Sequence, residues 1–172
     1  MLGLLDVPTT EVRTPADLDG IDGLVIPGGE SSTISMMLER SGLFEPVADL
    51  LGEGMPAFGT CAGAILLGAE IIDGRDDQRC FSAIDIAVRR NGYGRQVDSF
   101  ESEVAIVGLD RPMRVSFVRA PVIERVGDGV SVVGTAEDRP VVCMHGVIAV
   151  ATFHPELNDD PSLHALWLQT FN

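Results

Sequence analysis

The feature that most constrains this 172-residue chain is the pentapeptide Gly59-Thr60-Cys61-Ala62-Gly63, set between the short apolar run Pro56-Ala57-Phe58 and the apolar stretch Ala64 to Ile72. Two glycines flanking a nucleophile-type residue, between a strand and a helix, describe a sharp elbow. The turn strains the backbone of its central residue and lifts that side chain out of the sheet, while the glycines let strand and helix approach without a Cβ clash. An elbow presupposes a buried strand feeding a helix, and so an α/β fold. By itself the pentapeptide also fits a buried structural cysteine beside a tight turn. As a nucleophile, Cys61 would have its thiol pKa lowered by the helix N-terminus, and the Ala62 N–H would be placed to stabilise an oxyanion.

The rest of the first half has the same alternation. Gly23-Leu24-Val25-Ile26 reads as a buried strand ending at Pro27-Gly28-Gly29. Ser31 or Ser32 then caps a helix with Ile34, Met37 and Leu38 on one face, stopped by Gly42. A second helix turns Val47, Leu50 and Leu51 inward, and Ala64 to Ile72 reads as a third, buried helix. The second half reads as strands at Ile84–Val88, Glu103–Val107, Arg114–Val118, Val130–Val133, Val141–Met144 and Val147–Thr152, with His145-Gly146 a hairpin turn. A last helix, about Pro161 to Phe171, sets Leu163, Leu166, Trp167 and Thr170 along one side. The sum is a single three-layer α/β domain over residues 1–172 with a mixed sheet.

Composition narrows the function. The net charge of −14 leaves no basic footprint for nucleic acid and disfavours an anionic membrane. All 12 basic residues are arginine, so neither a lysine Schiff base nor a P-loop lysine is available. Three widely spaced cysteines, Cys61, Cys80 and Cys143, make neither a disulfide framework nor a cysteine zinc site. No signal peptide or membrane span is visible, and the expectation is a reduced, cytoplasmic, soluble protein.

A cysteine nucleophile needs a base and an orienting group. His145 sits in the hairpin turn and His164 on the last helix, where it reads as a surface or boundary residue. His154 stands in Phe153-His154-Pro155-Glu156, just past an apolar strand, and the carboxylate two residues on can reach back to fix its tautomer. The loop Pro27-Gly28-Gly29-Glu30-Ser31-Ser32 exposes backbone N–H groups where a helix opens, an anion or oxyanion site in the making, although a plain turn would read the same.

Taken in order, PGGES, GTCAG and HPE resemble the class I (triad) glutamine amidotransferases. Arg90-Asn91-Gly92-Tyr93-Gly94-Arg95-Gln96, Ser99-Phe100-Glu101, Phe117-Val118-Arg119-Ala120-Pro121 and Phe153-His154-Pro155-Glu156-Leu157 narrow the resemblance to the glutaminase subunits of pyridoxal 5′-phosphate synthase, over nearly the whole chain from about Pro15. The resemblance implies a flavodoxin-like fold with a mixed, mainly parallel central sheet. It implies hydrolysis of L-glutamine to L-glutamate and ammonia, with ammonia passed to a synthase subunit in a heteromeric complex for vitamin B6 biosynthesis. Cys61 would attack the amide, His154 relay protons and Glu156 orient His154. Gly29, Glu30, Ser31, Arg90, Val118 and Arg119 would contact glutamine, and Gly28, Gly29 and Ala62 would form the oxyanion hole. No metal or cofactor is required. An arginine suits the α-carboxylate of glutamine and a glutamate its α-ammonium. The partner synthase of that family works through lysine imines, a step that a lysine-free chain leaves to its partner.

The family normally opens with a strand, a Leu-Gln-Gly turn and a helix before the segment matching Val12–Pro15, and here these have no counterpart. The expectation is a chain begun at an internal methionine or a shortened variant, with an exposed sheet edge and apolar surface. Three alternatives accompany the main reading: a class I glutaminase serving another synthase, a γ-glutamyl hydrolase of similar fold, and a weakly active or non-catalytic subunit that only binds the synthase.

Overall fold

A computed structural model describes residues 1–90, 92 and 99–171. Of the string from Arg90 to Gln96, Asn91 and residues 93–96 lie outside the described residues. The elements in chain order are β1 (Leu24–Ile26), α1 (Ser31–Arg40), α2 (Phe44–Gly52), β2 (Ala57–Thr60), α3 (Ala62–Leu67), β3 (Gly68–Ile71), β4 (Ile84–Arg89), β5 (Phe100–Val104), β6 (Met113–Phe117), β7 (Val122–Val126), β8 (Ser131–Ala136), β9 (Arg139–His145), β10 (Ile148–Ala151) and α4 (Ser162–Leu168). Short 3₁₀ turns cover Leu2–Leu5, Pro15–Leu18 and Pro155–Asn158.

The central sheet runs β1-β2-β10-β9-β8. Its parallel part is β1–β2–β10, and β9 and β8 extend it antiparallel. Smaller sheets, β3-β4-β7 and β5-β6, belong to the flanking layers. The two-residue period of a strand divides the core between the faces of the sheet. Ala57, Ile148 and Val150 join α3, Ile84, Ile86 and Val88 on one side. Phe58, Ala149 and Ala151 join Phe117, Phe153, Leu163 and Trp167 on the other. Every residue of β2 and β10 is buried, as strands covered on both faces must be. Phe58, Phe117 and Phe153 are fully buried, and each such side chain contributes about 1.5–3 kcal/mol.

The structure departs from the sequence reading at several places. The helix after the elbow stops at Leu67, because Gly68 is extended (φ −60°, ψ 161°) and its strand pairs with β4. The strand β7 was hidden by Glu124 and Arg125 in its middle, both exposed. The strand expected at Glu103–Val107 begins earlier, at Phe100, and stops at Val104, with Ile106 making only an isolated bridge to Gly134. Met37 is 61% exposed, because the inward stripe of α1 is the narrow row Ser31, Ile34, Ser35 and Leu38. The cap of α1 is Glu30 rather than a serine, its carboxylate accepting from the N–H groups of Ser32 (3.3 Å) and Thr33 (2.6 Å). A carboxylate at that end also meets the positive pole of the helix. His164 is 4% exposed and stands edge-on to Phe58, so it is a core residue and not a surface one.

Among the described residues no strand lies on the outer side of β1. An apolar trough of about 870 Å³ runs along that edge, between Ile34, Leu38 and Val47 on one side and Trp167 and Phe171 on the other. The segment from Val7 to Arg13 also lines this trough, and within β1 Leu24 and Val25 are half-buried and Ile26 is buried.

Candidate active site

The C-terminal ends of β1, β2 and β10 lie side by side, with Ile26 opposite Gly59 and Ala151 opposite Thr60. In open α/β sheets that end of parallel strands is where ligands bind. Here β1 delivers Pro27 to Ser31, β2 delivers Cys61, and the chain leaving β10 delivers His154 and Glu156.

The elbow is built by backbone packing. Cys61 has φ 50° and ψ −104°, outside the ordinary regions for a side-chain-bearing residue. Its N–H donates to the Ala151 carbonyl at 2.8 Å, and its own carbonyl accepts from Ala64 at 3.1 Å. A Cβ on Gly59 would fall 2.5 Å from the Gly63 carbonyl carbon, and one on Gly63 would fall 1.9 Å from the Ile26 carbonyl oxygen. Strand, elbow and helix therefore touch through main chain, and no larger residue fits at either glycine.

His154 is fixed from three directions. Its N–H donates to the Ser116 carbonyl at 3.0 Å, which anchors it to β6. Its Nδ1 lies 2.7 Å from Glu156 Oε1, and facing a carboxylate that nitrogen donates. A Cβ on Gly28 would fall 2.2 Å from His154 Cε1, so the ring rests directly on the loop after β1. Hydrogen bonds to the side chains of Cys61 and then Glu156 push the imidazole up to about 10, against the opposing effect of burial. Burial alone would push the Glu156 carboxyl up, but the His154 hydrogen bond and other local donors leave it below the usual range. The 3₁₀ turn Pro155–Asn158 is what carries Glu156 back to its histidine.

The charged rim is held by side chains. Glu30, besides capping α1, accepts from Arg90 at 2.5 Å. Arg90 is anchored through its own N–H to Asp73 at 2.6 Å. Burial opposes ionisation of Glu30, yet the hydroxyl and amides of Ser32 and Thr33 take it down to about 2. Val118 and Arg119 follow β6 directly, two and three residues beyond the Ser116 that pairs with His154. Arg119 is left-handed, with φ 46°. The loop after β1, Cys61, Ala62, His154 and Glu156 gather at this end of the central sheet; Arg90 comes from the end of β4 in a smaller sheet and reaches Glu30, while Val118 and Arg119 follow β6 and are exposed.

Three supporting residues carried no sequence motif: Asp73 behind Arg90, Gln78 behind Ser31, and His164, which shares a cavity of about 300 Å³ with Pro27, Thr60 and Glu156. The larger trough beside β1 touches none of Cys61, His154 and Glu156, and of these three the smaller cavity is lined by Glu156 alone. No group of three or more potential metal ligands occurs among the described residues.

The model of the SNO glutamine amidotransferase family matches residues 5–172. The chain belongs to that family. Curated relatives named pyridoxal 5′-phosphate synthase subunit PdxT include one from Salinispora tropica, 49% identical over 160 residues, covering 90% of this chain and 80% of the relative. Another, from a Nocardioides species, is 48% identical over 173 residues and covers 98% and 86%. A crystal structure of a glutamine amidotransferase superposes with a TM-score of 0.92 at 40% identity, covering 98% of this chain and 89% of that one. A glutamine amidotransferase from Thermotoga maritima, at 14% identity and a TM-score of 0.55, shares the fold. As a member of the SNO family, the chain is a glutamine amidotransferase by fold and by sequence.

Proposed function

We propose that this amidotransferase is the glutaminase subunit of a pyridoxal 5′-phosphate synthase, hydrolysing L-glutamine and handing ammonia to a synthase subunit. The observation that carries the glutaminase chemistry is the alignment of Cys61, His154 and Glu156, with the strained elbow at one end and the 2.7 Å Nδ1–carboxylate bond at the other. The choice of synthase is supported by the relatives bearing that name over nine-tenths of the chain.

The steps follow from the groups. Cys61 Sγ adds as thiolate to the side-chain carbonyl carbon of glutamine. The oxyanion is met by N–H groups of Ala62 and the Gly28-Gly29 loop. His154, held protonated by Cys61 and Glu156, gives its proton to the departing nitrogen, and the C–N bond breaks to release ammonia. Having given up that proton the ring is neutral, and with Sγ held as a thioester there is no sulfur charge to draw it back to the imidazolium. It then takes a proton from water, which adds to the γ-glutamyl thioester. Collapse breaks the C–S bond, frees glutamate and restores the thiolate–imidazolium pair. Arg90 takes the α-carboxylate and Glu30 the α-ammonium; in the free protein they neutralise one another. Three free cysteines, one of them the nucleophile, fit a reducing compartment, and no described helix is long and apolar enough to cross a membrane.

The test is glutamate release from glutamine, with and without the synthase subunit, beside Cys61→Ala. Synthase-stimulated release that the substitution abolishes is the expected result. Release indifferent to the synthase would instead favour a free-standing γ-glutamyl hydrolase, and none from folded protein would favour a subunit that only binds the synthase.

A further inference from the structure

The loop between β3 and β4 makes two sets of hydrogen bonds that the mechanism does not use. At one end, Gln78 Nε2 donates to Ser31 Oγ at 3.0 Å, the Arg79 N–H donates to Ser35 Oγ at 3.1 Å, and Ser35 Oγ donates to the Arg79 carbonyl at 3.2 Å. Ser31 and Ser35 lie one turn apart on α1, 3% and 1% exposed. At the other end, the N–H groups of Phe81, Ala83 and Ser82 donate to the carbonyls of Leu66, Leu67 and Gly68, where α3 runs into β3. Arg79 also pairs with Glu45 and lies 3.8 Å over the Phe44 ring, which stacks on Phe81. Residues 78–83 thus tie the helix that opens at the glutamine loop to the helix that opens at the nucleophile.

Gln78 is the member of this strap that reaches the loop itself. Its Oε1 is buried and has no partner among the described residues, so the side chain gives up a solvated carbonyl for one bond to Ser31. An apolar side chain of similar length would fill the same space without that loss. We propose that Gln78 is a positioning residue: through Ser31 it holds the Gly29–Ser31 loop at the spacing from Cys61 that glutamine requires. This rests on the glutaminase reading above.

The experiment is a double-mutant cycle of Gln78→Leu and Ser31→Ala, read in synthase-bound enzyme as KM and kcat for glutamine. It is repeated as calorimetric glutamine binding in the Cys61→Ala background, where no turnover occurs. Each single variant is expected to raise KM and the dissociation constant about three- to tenfold, as loss of one neutral hydrogen bond predicts, with kcat within about twofold. The double variant should be no worse than the worse single one. Additive effects, an unchanged KM, or a fall in kcat at constant KM would overturn the positioning role. If Gln78→Leu does not fold, Gln78→Met, unbranched and of similar length, replaces it in the same cycle. Wild-type enzyme inactive with the synthase would sink the glutaminase reading, while the binding cycle still reads Gln78 directly. A Cys61→Ala protein that binds no glutamine would overturn both.

Discussion

The elbow and the charged rim lie at the same end of one sheet and are held in opposite ways. Around Cys61 main chain packs on main chain: Gly59 on Gly63, Gly63 on the Ile26 carbonyl, and the Cys61 N–H on Ala151. At the rim side chains reach across long stretches of sequence, Arg90 to Glu30 and Gln78 to Ser31. The first arrangement fixes the nucleophile with no side chain to substitute and therefore tolerates no added atom. The second can be changed one residue at a time, and so it is where affinity can be adjusted without moving the reacting sulfur.

The largest effect that would break this comparison is at the elbow. Gly63→Ala puts a methyl 1.9 Å from the Ile26 carbonyl oxygen. Relief requires β1 and α3 to separate, at a cost of at least about 1–3 kcal/mol. Glutamate release should fall below about 1% of wild type, since a 1 Å displacement of reacting groups already costs about 10²-fold, and the thermal midpoint should drop. A Gly63→Ala enzyme with normal kcat would show that backbone contact does not set the geometry.

Glu156→Gln comes next. It keeps the shape but removes the charge that helps hold His154 protonated, and kcat should fall by about 10²–10⁴. The pH profile gives the sign. His154 is raised from 6.5 to about 10, first by Cys61 and then by Glu156. Its protonated form therefore adds stability in full below pH 6.5, and that contribution fades as pH rises through about 10. Losing Glu156 lowers the folded value, so both the alkaline fall in stability and the alkaline limb of glutamate release should move to lower pH. A limb that stays in place would remove Glu156 from the proton relay.

The rim variants should be gentler and should separate binding from folding. If Arg90 holds the α-carboxylate as proposed, Arg90→Gln should raise KM about 10- to 100-fold with kcat little changed. Glu30→Gln should raise KM similarly but also lower the thermal midpoint, because Glu30 caps α1 as well. If both substitutions depress kcat and leave KM alone, the rim belongs to the chemistry and the contrast with the elbow fails.

The same contrast governs what could be read from the sequence. GTCAG and the His154–Glu156 pair were legible because their geometry is local: a steric turn, and a carboxylate two residues from its ring. Parallel pairing followed from the alternation of strands and helices in the first half. Illegible were features decided by distant partners. Gly68 leaves the helix because β4 offers it a ladder, β7 hides behind charged residues on its open face, and Gln78 lies in a polar loop with no pattern to mark it. Ser31 looked like a cap because serines usually are, but the longer Glu30 carboxylate reaches two amides from outside the helix and meets Arg90 besides. His164 looked like a surface residue because a lone histidine on an amphipathic helix carries no sign of which way it faces.

His164 supplies the smallest prediction and sharpens the comparison from behind the triad. Burial above all takes it down to about 4, with Glu156 acting the other way. The neutral ring is thus the folded form, and between pH 6.5 and 4 the unfolded chain binds the extra proton. Stability must rise with pH across that window, with a slope of at most about 1.4 kcal/mol per unit. His164→Phe keeps an aromatic partner for Phe58 and removes the titration. Denaturant unfolding at a series of pH values should show a shallower slope in that window for the variant, and near neutrality kcat should differ by no more than about twofold. A large loss of kcat there would mean that the cavity shared by His164 and Glu156 helps place the carboxylate, so that the elbow's end of the site, too, depends on side chains reaching in from elsewhere in the fold.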